Sequence, residues 1–213
     1  MKKVVLICAS AIMCSAAYSQ VKIGPMAGIN VTKFHNKPTP LRGDKRVINP
    51  RIGVLADIYI GSNFHFSPGL TLSRIGFYAE DKYWGEKATF YVHVAEFPLY
   101  LTYQTKKESG FLVGAGVSPN ININGRWKGN IYNLGDINVP LEFGGMGEPN
   151  RITVGAGGNI GYAFKNGLSV RAFGQTLIRH YQKGSVYNNF GISGAYLMAL
   201  RKKAATTNPT AGQ

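Results

Sequence analysis

Cysteine is missing from this 213-residue chain beyond position 14; Cys8 and Cys14 are its two examples. A disulfide framework and thiolate chemistry are therefore excluded for everything downstream. Charge is sparse too, at 16% of residues against roughly 25% in soluble domains. Acids are scarcer than bases, with 10 Asp plus Glu against 24 Lys plus Arg. No uninterrupted apolar run reaches the ~18 residues of a membrane-spanning helix, which excludes a helical membrane protein. Present in excess are glycine, 27 residues, and Phe plus Tyr, 11 and 12. Such an aromatic content argues against disorder, and the length suits one domain.

Residues 1–19 read as a signal peptide. Lys2 and Lys3 supply the positive start, Val4 to Ala17 the apolar stretch, and Ala17-Tyr18-Ser19 a small-x-small cleavage site before Gln20. A buried helix explains the stretch less well, and a lipid anchor at Cys14 lacks the expected small residue before it. Both cysteines leave with the signal, and 22 basic residues then face 10 acidic ones, a net of +12. Residues 20–200 form the body and 201–213 a polar tail.

The body alternates with period two, the signature of strands with one apolar face. In the first run Val21, Ile23, Pro25, Ala27, Ile29 and Val31 oppose Lys22, Gly24, Met26, Gly28, Asn30 and Thr32. The pattern returns around residues 51–60, 64–73, 111–122, 152–162, 168–175 and 190–200. A further run, Phe90 to Tyr103, changes face, because Val92 and Val94 align with Glu96 whereas Phe97, Leu99 and Leu101 oppose it. A bulge at Glu96-Phe97-Pro98 would reconcile the halves. Eight strands result. Their connections alternate between long and short, with Gly61-Ser62-Asn63 and Lys165-Asn166-Gly167 as tight hairpin turns. The reading is an all-β, eight-stranded antiparallel up-and-down transmembrane barrel.

A soluble barrel alternates as well, but its weaker face would carry Lys, Glu, Gln and Thr. Here that face carries mainly Gly, Ser, Asn and Ala, groups that fit the narrow inside of an eight-stranded barrel. The aliphatic face then meets lipid, where one Arg or Lys at the midplane costs about 2–4 kcal/mol. Aromatics cluster at both rims as girdles would: Tyr59, Phe64, Phe66, Tyr100, Tyr103, Tyr162 and Phe164 near the short turns. Phe77, Tyr78, Tyr83, Trp84, Phe90, Tyr181, Tyr187 and Phe190 lie near the long loops.

Several segments resemble a known family. They are the signal ending Ser19-Gln20, the opening Val21-Lys22-Ile23-Gly24-Pro25-Met26-Ala27-Gly28-Ile29-Asn30, and Ala95-Glu96-Phe97-Pro98-Leu99. To these add Phe173-Gly174-Gln175 and Gly194-Ala195-Tyr196-Leu197-Met198. The chain is similar in them to the PorT-like outer-membrane β-barrel family of the Bacteroidota. The resemblance implies an eight-stranded barrel in a Gram-negative outer membrane, and the family's namesake is associated with secretion. The tail from Arg201 to Gln213 departs from barrels that end on an aromatic.

No catalytic constellation or cofactor motif emerges, so the expectation is a non-enzymatic protein without cofactor or metal. Val154-Gly155-Ala156-Gly157-Gly158-Asn159-Ile160-Gly161 looks like a dinucleotide loop, but such a loop must open a helix. His35, His65, His93 and His180 lack metal-ligand spacing. Ser185 and His180 share a loop without an evident carboxylate, which leaves a lipid-modifying enzyme as a minor alternative.

Three groups of residues remain as candidates. Lys37, Arg42, Lys45 and Arg46 form a basic rim able to meet lipopolysaccharide phosphates, or else solvated loop charge. Lys22, Arg51, Asp57 and Arg171 could build a paired network inside the lumen, with Asp57–Arg171 as its ion pair. The longest loop, Asn120 to Asn150, presents Trp127, Tyr132, Leu134 and Phe143, either as a contact surface for an envelope or secretion protein or as packing over the barrel mouth. A monomer acting through its loops is expected, with a narrow pore as the alternative. Nucleic acid is excluded by export and by the lack of a basic stripe interleaved with aromatics.

Overall fold

The computed structural model describes residues 21–35, 44–80, 87–131, 135–145, 148–178 and 186–200. The expected signal, residues 1–19, and the tail, 201–213, lie outside them. Among these described residues twelve strand segments form a single sheet. They are β1 Val21–His35, β2 Asp44–Arg46, β3 Ile48–Gly61, β4 Phe64–Glu80, β5 Lys87–Glu96 and β6 Leu99–Gln104, then β7 Gly110–Ile131, β8 Gly135–Pro140, β9 Ile152–Ala163, β10 Leu168–Leu177, β11 Val186–Tyr196 and β12 Met198–Ala199. Joining β2 to β3, β5 to β6 and β11 to β12 as interrupted staves leaves β8 as an extension and gives a ring of eight. Antiparallel pairing of β1 with β11, from Met26 opposite Ala195 to His35 opposite Val186, closes the cylinder. Closure removes the free edges that hydrocarbon would leave unpaired.

Side-chain parity follows the sequence. Ile29, Ile52, Leu72, Leu101, Val113, Ile160 and Ile192 are exposed on the outer wall. Asn30, Ser67, Thr71, Asn120 and Asn189 are fully buried inside. The outward apolar run on β4 from Phe64 to Leu72 covers roughly 26 Å of strand, or about 20 Å of bilayer normal at a 40° tilt. The hairpin between β3 and β4 turns through Ser62 and Asn63, at φ 48° and 67°. Both torsions are positive, as the tightest hairpins require.

Two expectations need correction. The stave of β5 and β6 keeps its parity throughout: Val92, Val94, Glu96, Tyr100, Thr102 and Gln104 are all buried. Phe97-Pro98 interrupts the strand without turning it over, because Phe97 donates to the Pro119 carbonyl and Gly69 to the Pro98 carbonyl, both at 2.9 Å. What changes at Glu96 is the polarity of the lumen, not the direction of the side chains. The register irregularity lies higher, between His93 and Val94, where Ile123 is the extra residue on β7.

The second correction concerns the girdles. At the short-turn end Phe64, Tyr103, Phe111 and Phe164 are exposed. They form edge-on contacts, such as Phe111–Tyr162 at 5.1 Å and Phe64–Tyr103 at 5.4 Å. Tyr100, placed in that girdle by sequence, is buried in the lumen. At the long-loop end Phe77, Phe90 and Tyr187 are also inside. Phe190 does face outward, while Tyr83, Trp84 and Tyr181 lie outside the described residues.

Candidate functional site

The lumen is organised in three levels. At mid-height, β5 ends on Glu96, which is 1% exposed. Its Oε2 meets Arg51 Nη2 of β3 at 2.7 Å. From β4, Ser73 Oγ donates to Oε1 at 2.7 Å and Thr71 Oγ1 to Oε2 at 3.3 Å. Across the lumen Asn189 Nδ2 of β11 donates to Oε1 at 3.4 Å. Asn189 Oδ1 in turn accepts from Asn30 Nδ2 of β1 at 2.9 Å. The Arg51 guanidinium also stacks 4.2 Å above the Phe173 ring of β10. A buried charge is tolerated only when paired and hydrogen-bonded, and one carboxylate here ties together staves from opposite walls.

Nearer the short turns, Asp57 Oδ2 lies 2.9 Å from His65 Nδ1, and Ser67 Oγ donates to Oδ1 at 3.1 Å. Asp57's direct hydrogen-bond partner is thus His65 rather than Arg171, which stands within electrostatic reach of the same carboxylate. The reason is adjacency: His65 lies on the neighbouring strand, whereas Arg171 belongs to β10 across the barrel. Lys22 lines a narrow recess with Asp57, Gln104 and Arg171. The expected Lys22–Arg51–Asp57–Arg171 group is therefore divided, because Arg51 belongs to the Glu96 level.

Toward the long loops the lumen turns apolar. Phe34, Ile75, Phe77, Phe90, Val92, Val94, Leu177 and Tyr187 form one buried cluster. Phe77 and Phe90 stack at 5.2 Å, and Phe34 meets both edge-on at 5.2 and 5.6 Å. Above them, β7 and β8 continue as a hairpin, with Arg126 opposite Pro140 and Ile131 opposite Gly135. Trp127 closes edge-on over Phe90 at 5.8 Å and Phe77 at 6.5 Å. Leu141 and Phe143 pack against the same cluster.

The segment expected as the longest loop is thus largely paired strand. Trp127 and Phe143 pack over the barrel mouth, the second of the two readings the sequence allowed. Tyr132 and Leu134 lie outside the described residues. Of the basic rim, Arg46 is exposed at the end of β2 and Lys45 pairs opposite Tyr78 of β4. Lys37 and Arg42 fall outside the described residues.

Sequence reading missed Glu96 as the hub, although an acid in an otherwise apolar strand was its signal. It also missed that Asp57, His65 and Ser67 bring together the three side-chain types of an acyl-transfer triad. Their order does not serve that chemistry. A nucleophilic serine must hydrogen-bond to the imidazole, yet Ser67 bonds to the carboxylate and is fully buried, away from any lipid. Among the described residues no three His, Cys, Asp or Glu side chains gather to hold a metal.

A closed antiparallel cylinder with an aliphatic outside and a charged, hydrogen-bonded inside defines a transmembrane β-barrel. The chain belongs to the outer membrane protein beta-barrel domain family, whose model matches residues 15–202. It resides accordingly in the outer membrane of a Gram-negative bacterium. No curated protein matches it. Among solved structures it is similar to Ail of Yersinia pestis, determined with the heparin analogue sucrose octasulfate. The two are 8% identical over 84% of this chain and 99% of that one, with TM-score 0.47. It is similar also to Neisserial surface protein A, 12% identical over 84% and 97%, with TM-score 0.44.

Proposed function

We propose that this chain is a non-enzymatic envelope component of the PorT-like kind, exported by the signal at residues 1–19. It acts through its extracellular end as a structural, binding or secretion-associated part. The observation carrying this reading is that the lumen is filled at two levels. The Glu96 network spans the membrane interior, and the Phe34–Phe77–Phe90–Tyr187 cluster, under Trp127, stops the outer mouth. An eight-stranded barrel has room inside only for its own side chains, so the work falls to the outer surface. Its partners there are outer-membrane lipid, lipopolysaccharide included, and an envelope or secretion-machinery protein.

Planar-bilayer recording of the refolded barrel tests this. Silence is expected, and a steady open-channel current would replace the binding role with that of a narrow pore. Pull-down from intact envelope should recover a partner with the wild type and lose it when residues 126–148 are deleted. Equal recovery by both would remove the β7–β8 hairpin from the proposed surface.

A further inference from the structure

The outer wall carries an amphipathic groove where β3, β4, β5 and β7 leave the bilayer. It encloses about 430 Å³ and is lined by Pro50, Ile52, Leu72, Arg74, His93 and Ile123 among others. Its floor is hydrocarbon, since Ile52, Leu72 and Ile123 are 58%, 49% and 46% exposed on the lipid face. Its upper lip is cationic. Register sets Arg74 beside His93, His93 beside Asn124, Tyr91 beside Arg126 and Thr89 beside Lys128. The Arg74 guanidinium lies 4.0 Å above the Tyr91 ring, and Lys128 Nζ approaches that ring to 6.0 Å.

No carboxylate neutralises this lip: among the described residues neither Arg74, Arg126 nor Lys128 is in an ion pair. Arg126 Nη1 donates to the neutral amide oxygen of Asn138 at 3.2 Å. Arg74 Nε is buried and has no hydrogen-bond acceptor. An uncompensated guanidinium held on an aromatic ring directly above an apolar trough matches one kind of ligand, a phosphate carrying acyl chains. The trough faces the outer leaflet, because the long-loop end of such a barrel points outward.

We infer that this groove is a binding site for a phosphorylated, acylated glycolipid of the outer leaflet. The phosphate engages Arg74 and Lys128, and an acyl chain lies along Ile52, Leu72 and Ile123. The inference rests on the outward orientation in the proposed function and gives the lipid partner a wall site rather than a loop-rim site.

Native mass spectrometry of the detergent-solubilised full-length mature barrel tests it, with added diphosphorylated hexa-acyl diglucosamine lipid, its dephosphorylated form, or inorganic phosphate. The wild type should retain one phosphorylated lipid. Arg74→Gln and Lys128→Gln should each weaken retention about tenfold, the usual weight of one charge-assisted contact. Dephosphorylated lipid should be retained as poorly, and millimolar inorganic phosphate should not compete. Lys128 stands on the exposed hairpin, so its variant reports even if Arg74→Gln fails to refold. Unchanged retention in Lys128→Gln and in any folded Arg74→Gln overturns the site, as does equal retention of the dephosphorylated lipid. Displacement by phosphate alone overturns it in favour of a bare anion site. Loss on Arg46→Gln instead would move the lipid to the rim, leaving the proposed function intact while this site falls.

Discussion

The two ends of this barrel obey opposite patterning rules on the same strands. Within the bilayer the outside is aliphatic and the inside polar, as with Ile52, Val54 and Leu72 against Arg51, Thr71 and Ser73. Above it the assignment inverts. Ile75, Phe77, Phe90, Val92 and Val94 turn inward, while Arg74, Tyr91, His93, Arg126 and Lys128 turn outward. On β4 and β5 no strand twists over to achieve this, because parity is continuous, while on β7 the extra residue Ile123 shifts the alternation by one. The surrounding medium decides which face must be apolar: hydrocarbon requires an apolar exterior, and water requires an apolar core. The long-loop third is therefore built like a small soluble barrel standing on a membrane one.

Breaking the polar half should cost most. Glu96→Ala leaves Arg51 buried and unpaired, and loss of one member of a buried pair destabilises by about 3–5 kcal/mol. Urea titration of the lipid-reconstituted barrel, followed by heat-modifiable gel mobility, should show that loss. The double variant Glu96→Leu/Arg51→Met should regain most of it, since an apolar replacement of both partners is often neutral. Failure of the double variant to recover would mean that Ser73, Asn189 and Asn30 need the carboxylate for their own satisfaction.

The next largest effect probes the lipid face. Val117 is 43% exposed on the outside of β7, near the middle of the apolar band. Val117→Lys should cost about 2–4 kcal/mol in the same titration. A cost near zero would place this wall against water and overturn the membrane reading of the lower barrel.

The apolar cap comes third. Trp127 is only partly buried, so Trp127→Ala should lose less than the ~3–5 kcal/mol of a fully buried aromatic, about 1–2 kcal/mol. Limited proteolysis should then cut the β7–β8 hairpin faster while gel mobility reports an intact barrel below. Cap and barrel melting together would show that the two patterns form a single cooperative unit.

Alternation made the staves legible because lipid forces one face of every strand to be apolar, leaving a pattern that length and composition reinforce. The inversion is not legible, because an apolar pair such as Val92 and Val94 reports the surrounding medium and not the direction in which the side chains point. Asp57's partner was hidden for a different reason. The three-residue turn Gly61-Ser62-Asn63 already sets Asp57 level with Ser67, the register in which Leu55 faces Gly69 and Ile58 faces Phe66. His65 stands diagonal to that pair and reaches Asp57 Oδ2 at 2.9 Å. Alternation alone does not select this diagonal contact over one with Arg171. Glu96 was visible as an anomaly, but its acceptor role needed β11 brought across from 93 residues away.

The smallest expected effect is the sharpest test of the inversion. Thr89 lies on β5, opposite Lys128 of β7 and Tyr78 of β4, on the same outward face as Val117 but above the groove. If water surrounds that level, Thr89→Lys is an ordinary surface change and should move stability by no more than about 0.5 kcal/mol. If hydrocarbon reached that height, the same substitution would carry a penalty approaching that of Val117→Lys. Measured side by side under one lipid composition, the two lysines differ only in depth along adjacent strands. The ratio of their costs therefore locates the bilayer surface between Val117 and Lys128, independently of any assumption about what the groove binds.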